Sequence, residues 1–219
     1  VKKIAVKIVL ATVILGITVI HGGQAEDLLA KMRTAWNSVS TYQVTMITHQ
    51  VKGSKTEDRT VKFSYKSPGW IRTDILEGKN KGSTAVYDPV KDKIRAKQPG
   101  LPVISLSPDN NLAKGLRGDR IYEGSFGYML KRADRYQANG SLTYLGKGTV
   151  DDVSCKVIEF KASSPADNNG VARERWWLDP NTGFPRKIVK YDSEDTKVDR
   201  VVYKNLKLNP EFAEDYFSL

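Results

Sequence analysis

The apolar positions of this chain follow two rhythms. From Glu26 to Val39 they recur at three- and four-residue steps: Leu28, Leu29, Met32, Ala35, Trp36 and Val39. That spacing predicts an amphipathic helix with one apolar face, and the acids Glu26 and Asp27 in its first turn suit the helix dipole. The period then drops to two. "TYQVTMITHQ" sets Tyr42, Val44 and Met46 on one side, and "DRTVKFSYK" sets Val61, Phe63 and Tyr65 against Lys62, Ser64 and Lys66. Strict alternation predicts half-buried strands, and the "GSK" between them reads as a hairpin connection. "PGWIRTDIL" continues the pattern, with Ile71 and Ile75 on one side and Trp70 and Leu76 on the other. "EGKNKGS" is a turn, and "TAVYDPVKDKIRAK" is a short hairpin around Asp88-Pro89.

From Gln98 the alternation loosens. Leu101, Val103, Ile104 and Leu106 follow no clear period in a segment rich in Pro, Asn and Asp. Helical spacing returns in "GSFGYMLKRADRYQ", with Phe126, Met129, Leu130 and Ala133 on one face. Five further strand-like runs follow, from "SLTYLGKGTV" to "VDRVVYKNLKL", divided by Gly, Asn, Asp and Pro clusters. Their spacing of roughly 8–12 residues suits a meandering antiparallel sheet. "NPEFAEDYFSL" closes the chain with a helical turn that packs Phe212, Tyr216 and Phe217. The expected fold is therefore mainly β with α: one long antiparallel sheet, a helix at its start and a second helix inserted midway.

Within "WWLDPNTGFPRKIVKYD" the two adjacent tryptophans precede a turn cluster, so the stretch reads as a hairpin. Arg173, Arg175 and Trp177 share one face, while Glu174, Trp176 and Leu178 share the other. One tryptophan faces inward and its neighbour outward, which excludes an aromatic clamp made by the pair.

The N-terminus adds a destination. Lys2, Lys3 and Lys7 precede the apolar run Ile8 to Ile20, and Gly23 and Ala25 stand where small residues guide a signal peptidase. These are the three parts of a secretory signal, and the run is shorter than the ~20 residues that comfortably span a bilayer. The expectation is a signal peptide over residues 1–25 and one domain over 26–219, with cleavage favoured over retention as an anchor. The expected location is the bacterial periplasm. The formal charge of +10 falls to +7 once the three lysines of this segment are taken off. The remaining cations are dispersed, which favours a solvated surface over a nucleic-acid face.

Candidate chemistry is sparse. Cys155 is the single cysteine, so no internal disulfide supports the fold, and its strand-like surroundings predict a small buried residue. His49 falls on the face opposite Tyr42, Val44 and Met46 and reads as an exposed strand residue. Asp151-Asp152 and Glu194-Asp195 lie in turn-like segments. No nucleophile motif, phosphate loop or metal-spaced cluster is present. The expectation is no catalytic residue, no metal and no cofactor.

A sheet this long tends to curl, and its concave face must then be filled. Helices can plug it, or a ligand can occupy it as in half-closed barrels. Both outcomes are compatible with the pattern. If a cavity exists, its expected lining is Trp36, Met46, Ile71, Ile75, Leu101, Val103, Leu106, Phe126, Met129 and Leu130, with the strand residues placed by alternation.

Several local patterns carry a resemblance. "YKSPGWIRTDI" with Pro68 and Arg72, "AVYDP" with Tyr87, Asp88 and Pro89, "TGFPRKIVKYD" with Gly183, Pro185 and Asp192, and "YKNLKLNPEF" with Asn209 and Phe212 are similar to stretches of the outer-membrane lipoprotein carriers, the LolA/LolB-like superfamily. The order of elements is similar too. The segment from Ser105 to Leu130 is more elaborate than in those carriers, which suggests an uncharacterised bacterial subgroup. The resemblance implies an unclosed β-barrel with a helical lid over an apolar cavity that shields acyl chains. It implies a monomeric, non-enzymatic carrier of lipid or lipoprotein acyl chains, handing cargo between inner- and outer-membrane transfer proteins, with no nucleic-acid partner. An envelope sensor or scaffold of the same fold, binding a lipid or membrane-protein partner, is the alternative. An envelope enzyme is the remaining one.

Overall fold

A computed structural model describes residues 22–219. The first helix, α1, runs Gly22–Asn37, and β1 (Thr41–Lys52), β2 (Lys55–Lys66) and β3 (Trp70–Gly78) follow as long antiparallel strands. The hairpin β4 (Thr84–Asp88) and β5 (Lys93–Lys97) and the short β6 (Ile104–Leu106) complete this half. An irregular segment and a 3-10 turn, Ile121–Gly124, lead to α2 (Phe126–Ala138). The second half holds β7 (Gly140–Val150), β8 (Val153–Ala162), β9 (Arg173–Leu178), β10 (Pro185–Tyr191) and β11 (Lys197–Leu208).

All eleven strands form one sheet, ordered β6-β5-β4-β3-β2-β1-β11-β10-β9-β8-β7. The only non-sequential neighbours are β1 and β11, which join the two halves in antiparallel register. The end strands β6 and β7 do not pair, so the barrel is unclosed, as the sequence leads one to expect. Two boundaries differ from the sequence reading. Helix α1 starts at Gly22, ahead of the periodic region, and Ala25 is fully buried within it. It ends at Asn37, where Ser38 and Val39 turn back onto the carbonyls of Ala35 and Trp36. The C-terminal segment forms a turn in place of a helical one, yet Phe212 stacks on Tyr216 at 4.5 Å as its aromatic spacing suggests. The residues read as a signal peptide lie, up to position 21, outside the described residues.

Register decides what each face carries. Along β1, Tyr42, Val44, Met46, Thr48 and Gln50 share the concave side. Met46 lies between Tyr203 and Val61, Thr48 between Val201 and Arg59, and Gln50 between Asp199 and Glu57. Rows crossing the sheet are thus aromatic at the Thr41 end, aliphatic in the middle and polar toward Lys52. Each alternation in the sequence becomes one step of this gradient.

The core sits where α1 and α2 press on the aromatic end. Tyr42 stacks on Phe126 at 4.6 Å and on Tyr65 at 5.3 Å, and Trp36 of α1 packs on Tyr65 at 5.1 Å. Ser125 caps α2, its Oγ accepting from the Tyr128 amide at 3.3 Å. This satisfies an amide that no helical carbonyl can reach. Gly127 lets α2 come close to Trp36, since a Cβ there would stand 2.8 Å from the indole. Phe126, Met129, Leu130, Ala133 and Tyr136 are all buried, so α2 is part of the core.

The "DPNTG" stretch is the β9–β10 hairpin. Asp179 accepts from the amides of Asn181 (2.8 Å) and Thr182 (3.2 Å) and from Arg186 at 2.5 Å, which fixes the turn. Trp176 is fully buried, whereas Trp177 lies on the other face, with Lys187 Nζ 4.0 Å above its ring. Cys155 is buried, and its burial pushes the thiol above its ordinary pKa. His49 lies on the outer face, Nδ1 2.8 Å from Asp58.

Candidate functional site

The concave face is filled unevenly. Over β7 to β10 the helices cover it, and Phe160, Trp176 and Phe184 are fully buried there. Over β1 to β5 the curve leaves a trough of about 260 Å³. Its apolar walls include Met46, Val61, Phe63, Ile75, Ala85 and Ala96 from the sheet. Leu106, Ile121 and Met129 come from β6, the 3-10 turn and α2. The irregular segment before α2 forms the remaining wall through Leu112, Ala113 and Gly115. Leu112 is 78% exposed although it lines the trough, so it stands at the mouth.

One end of the trough is charged. Gln50 Nε2 donates to Asp119 at 2.9 Å, and Lys190 Nζ lies 2.8 Å from Asp199 and 3.7 Å from Asp119. Arg117 ties this segment down by donating to the Val51 carbonyl at 2.8 Å. Burial alone would lower the Lys190 pKa, but Asp199 and Asp119 outweigh it and hold the ammonium well above its usual range. Lys190 in turn holds the Asp119 carboxyl below its usual value, against the effect of burial. Both groups are therefore charged at neutral pH.

Beside this cluster stands a second ionic pair, linking α2 to the sheet. Arg132 donates to Glu174 through Nε at 2.9 Å and Nη2 at 2.7 Å, and the Trp176 indole donates to the same carboxylate at 2.7 Å. Glu174 is fully buried. Burial would raise its pKa, but Arg132, Lys190 and these hydrogen bonds outweigh that and hold it down. A planar guanidinium meeting a carboxylate at two points fixes orientation as well as charge. A further depression of about 370 Å³ at the C-terminal end of α2 is lined by polar groups such as Arg135, Asn139 and Asp167, away from the apolar walls.

The residues expected to line a cavity fall in three places. Met46, Ile75, Leu106 and Met129 line the trough together. Trp36, Ile71, Phe126 and Leu130 belong to the packed core beside it. Leu101 and Val103 lie in the exposed segment before β6. Sequence reasoning missed the polar end: Gln50, Arg59, Asp119, Lys190 and Asp199. A signal was present for four of them, since Gln50 continues the inward parity of Met46, Arg59 that of Val61, Lys190 that of Ile188 and Asp199 that of Val201. Among the described residues no group of His, Cys, Asp and Glu has the geometry to hold a metal ion. No helix among them is long and apolar enough to cross a membrane.

An unclosed antiparallel barrel covered by two helices, with a trough on its concave face, is a half-barrel fold of the LolA-like kind. Two solved structures share the fold, and a third aligns more loosely. An uncharacterised conserved protein from Thermus thermophilus aligns over 88% of this chain and 96% of its own, with a TM-score of 0.54 at 9% identity. The MucA/MucB complex of Pseudomonas aeruginosa aligns over 90% of this chain and 61% of the matched chain, with a TM-score of 0.52 at 15% identity. A LolA superfamily protein from Nitrosomonas europaea aligns over 88% of this chain and 96% of its own, with a TM-score of 0.40 at 12% identity. No curated protein matches the chain by sequence. Within this class the chain belongs to the family of YdcC-like sporulation proteins, whose family model matches residues 2–217.

Proposed function

We propose that this protein binds a lipid, or the acyl chain of a lipoprotein, in the trough, and carries it without chemical change. The observation that carries the reading is the trough itself: an apolar gap of about 260 Å³ left open beside a tightly packed core. An acyl chain exposed to water costs about 0.8 kcal/mol per methylene, so such a gap is a favourable refuge. The volume is near the lower end of the roughly 300–1,000 Å³ typical of ligand pockets, which suits one chain better than several. The irregular segment around Leu112 can move aside more readily than α2, which is fixed by core packing and by the Arg132–Glu174 pair. Release then needs only that segment to open.

The setting is outside the cytoplasmic membrane, with the sequence of residues 1–25 as its export signal. The family's description, which names sporulation, supports the envelope of a spore-forming cell as that setting. A second reading, a sensor or scaffold that holds a protein partner, draws support from the MucA/MucB complex, in which a protein of this fold is bound to another.

Protein purified from its own envelope fraction should yield stoichiometric acyl-chain species in organic extract by mass spectrometry. Ala96→Trp, which fills the trough from a half-buried strand position, should lower the bound lipid at least about tenfold and leave the circular dichroism unchanged. A lipid-free protein whose Ala96→Trp variant behaves like the parent would discard the carrier reading.

A further inference from the structure

Among the described residues, three buried side-chain polar atoms have no hydrogen-bond partner: Arg59 Nε, Ser83 Oγ and Asp199 Oδ1. All three residues line the trough. Asp199 is only 3% exposed, and its other oxygen is engaged by Lys190. Leaving a buried charged oxygen unpaired is costly, and folded proteins rarely do so without a ligand or an ordered water to complete the site. Arg59 is likewise half used, its Nη2 lying 3.0 Å from Glu57.

The positions of these groups set the chemistry. Asp199 faces Gln50 from one side of β1, and Arg59 faces Thr48 from the other, so their backbones are offset by about 7 Å along the strands and about 10 Å across them, and their side chains lean into the trough between. Beyond them the rows turn aliphatic at Met46 and Val61. A ligand that satisfies this end must donate to a carboxylate oxygen and accept from a guanidinium N–H, with an apolar tail directed toward Ile75 and Ala96. A bare fatty acid supplies only an acceptor, which could meet Arg59 but leaves Asp199 Oδ1 without a donor.

Resting on the lipid-binding reading above, the geometry points to a zwitterionic amphiphile as the preferred ligand, one whose headgroup carries an N–H-bearing ammonium beside a phosphate. The ammonium donates to Asp199 Oδ1. The phosphate accepts from Arg59 Nε, and Ser83 Oγ supplies a further polar contact.

Displacement of a fluorescent acyl probe by three ligands with one oleoyl chain tests this: lysophosphatidylethanolamine, lysophosphatidylcholine and oleic acid. The choline headgroup keeps the charges but has no N–H to donate. A charge-assisted hydrogen bond corresponds to about tenfold in affinity. The ethanolamine lipid should therefore bind about tenfold more tightly than the choline lipid, and more tightly still than oleic acid. Asp199→Asn should reduce the ethanolamine-to-choline ratio to about one, and Arg59→Gln should weaken both lysolipids while keeping their ratio. The parent protein's ratio decides the matter even if a variant fails to fold. Equal binding of the two lysolipids would overturn the headgroup assignment, leaving ordered water as the partner of Asp199, while the carrier reading stands. Binding of none of the three would overturn both.

Discussion

The two halves of the sheet were built from similar strands and ended differently. Over β7 to β10 the concave face is closed by aromatic packing: Phe160 against Trp176 at 4.7 Å, and Phe126 against Phe184 at 4.7 Å. Over β1 to β5 the inward residues of the trough are smaller or polar, such as Thr73, Ala85, Ala96 and Thr48, and an irregular segment faces them in place of a packed helix. Side-chain volume explains the contrast. Large rings, including Tyr42 and Tyr65 at the Thr41 end of β1 and β2, reach the helices and exclude water, whereas the short side chains of the trough leave a gap wider than van der Waals contact can bridge. One chain thus builds its own plug and its own vacancy, with the Arg132–Glu174 and Lys190–Asp199 pairs along the border. Stability is concentrated in the packed half, and binding is free to reside in the other.

Substitutions test that division. Phe126→Ala removes the ring that touches Tyr42, Phe184 and Tyr203, and should cost about 3–5 kcal/mol in urea denaturation. A loss below about 1 kcal/mol would mean that the helices are not the core of this fold. Arg132→Met leaves Glu174 buried with one cation fewer, and should cost about 3–5 kcal/mol. Adding Glu174→Gln should restore much of it, because the uncompensated charge, more than the lost attraction, is the source of the penalty. Strict additivity of the two changes in a double-mutant cycle would contradict the pairing. The smallest test uses one chemistry twice. Ile158→Val, at a fully buried site in the packed half, should cost about 0.5–1.5 kcal/mol, and Ile75→Val in the trough less than about 0.5. Equal costs, measured by thermal or urea melts, would show that the halves do not differ in packing.

Much of the fold was legible in the sequence. Period-two alternation in β1 and β2 identified Tyr42, Val44, Met46, Val61, Phe63 and Tyr65 as inward, and the structure agrees. The opposite facing of Trp176 and Trp177 and the outward facing of His49 followed from the same rule, and the burial of Cys155 from its strand-like surroundings. The start of α1 was less legible, because Gly22 to Ala25 reads as a cleavage region and carries no helical periodicity. The candidate site was legible only in part. Met46 and Ile75 were marked inward by alternation, but so was Ile71, and Phe126 was marked by helical spacing; these two pack into the core. Nothing in a one-dimensional pattern separates an apolar residue that touches a helix from one that faces a gap.

Local periods and residue identity were enough to set the strands, their facing and the two helices, because each of these depends on a short stretch of chain. Which inward residues meet, and which do not, was left to long-range packing. The β1–β11 pairing joins residues about 150 positions apart and brings Asp199 to Gln50, while the adjoining β10–β11 hairpin sets Lys190 beside Asp199. That distant register alone places the charged row beside the oily one, because contacts across a curved sheet are set by a geometry that no short stretch of the chain contains.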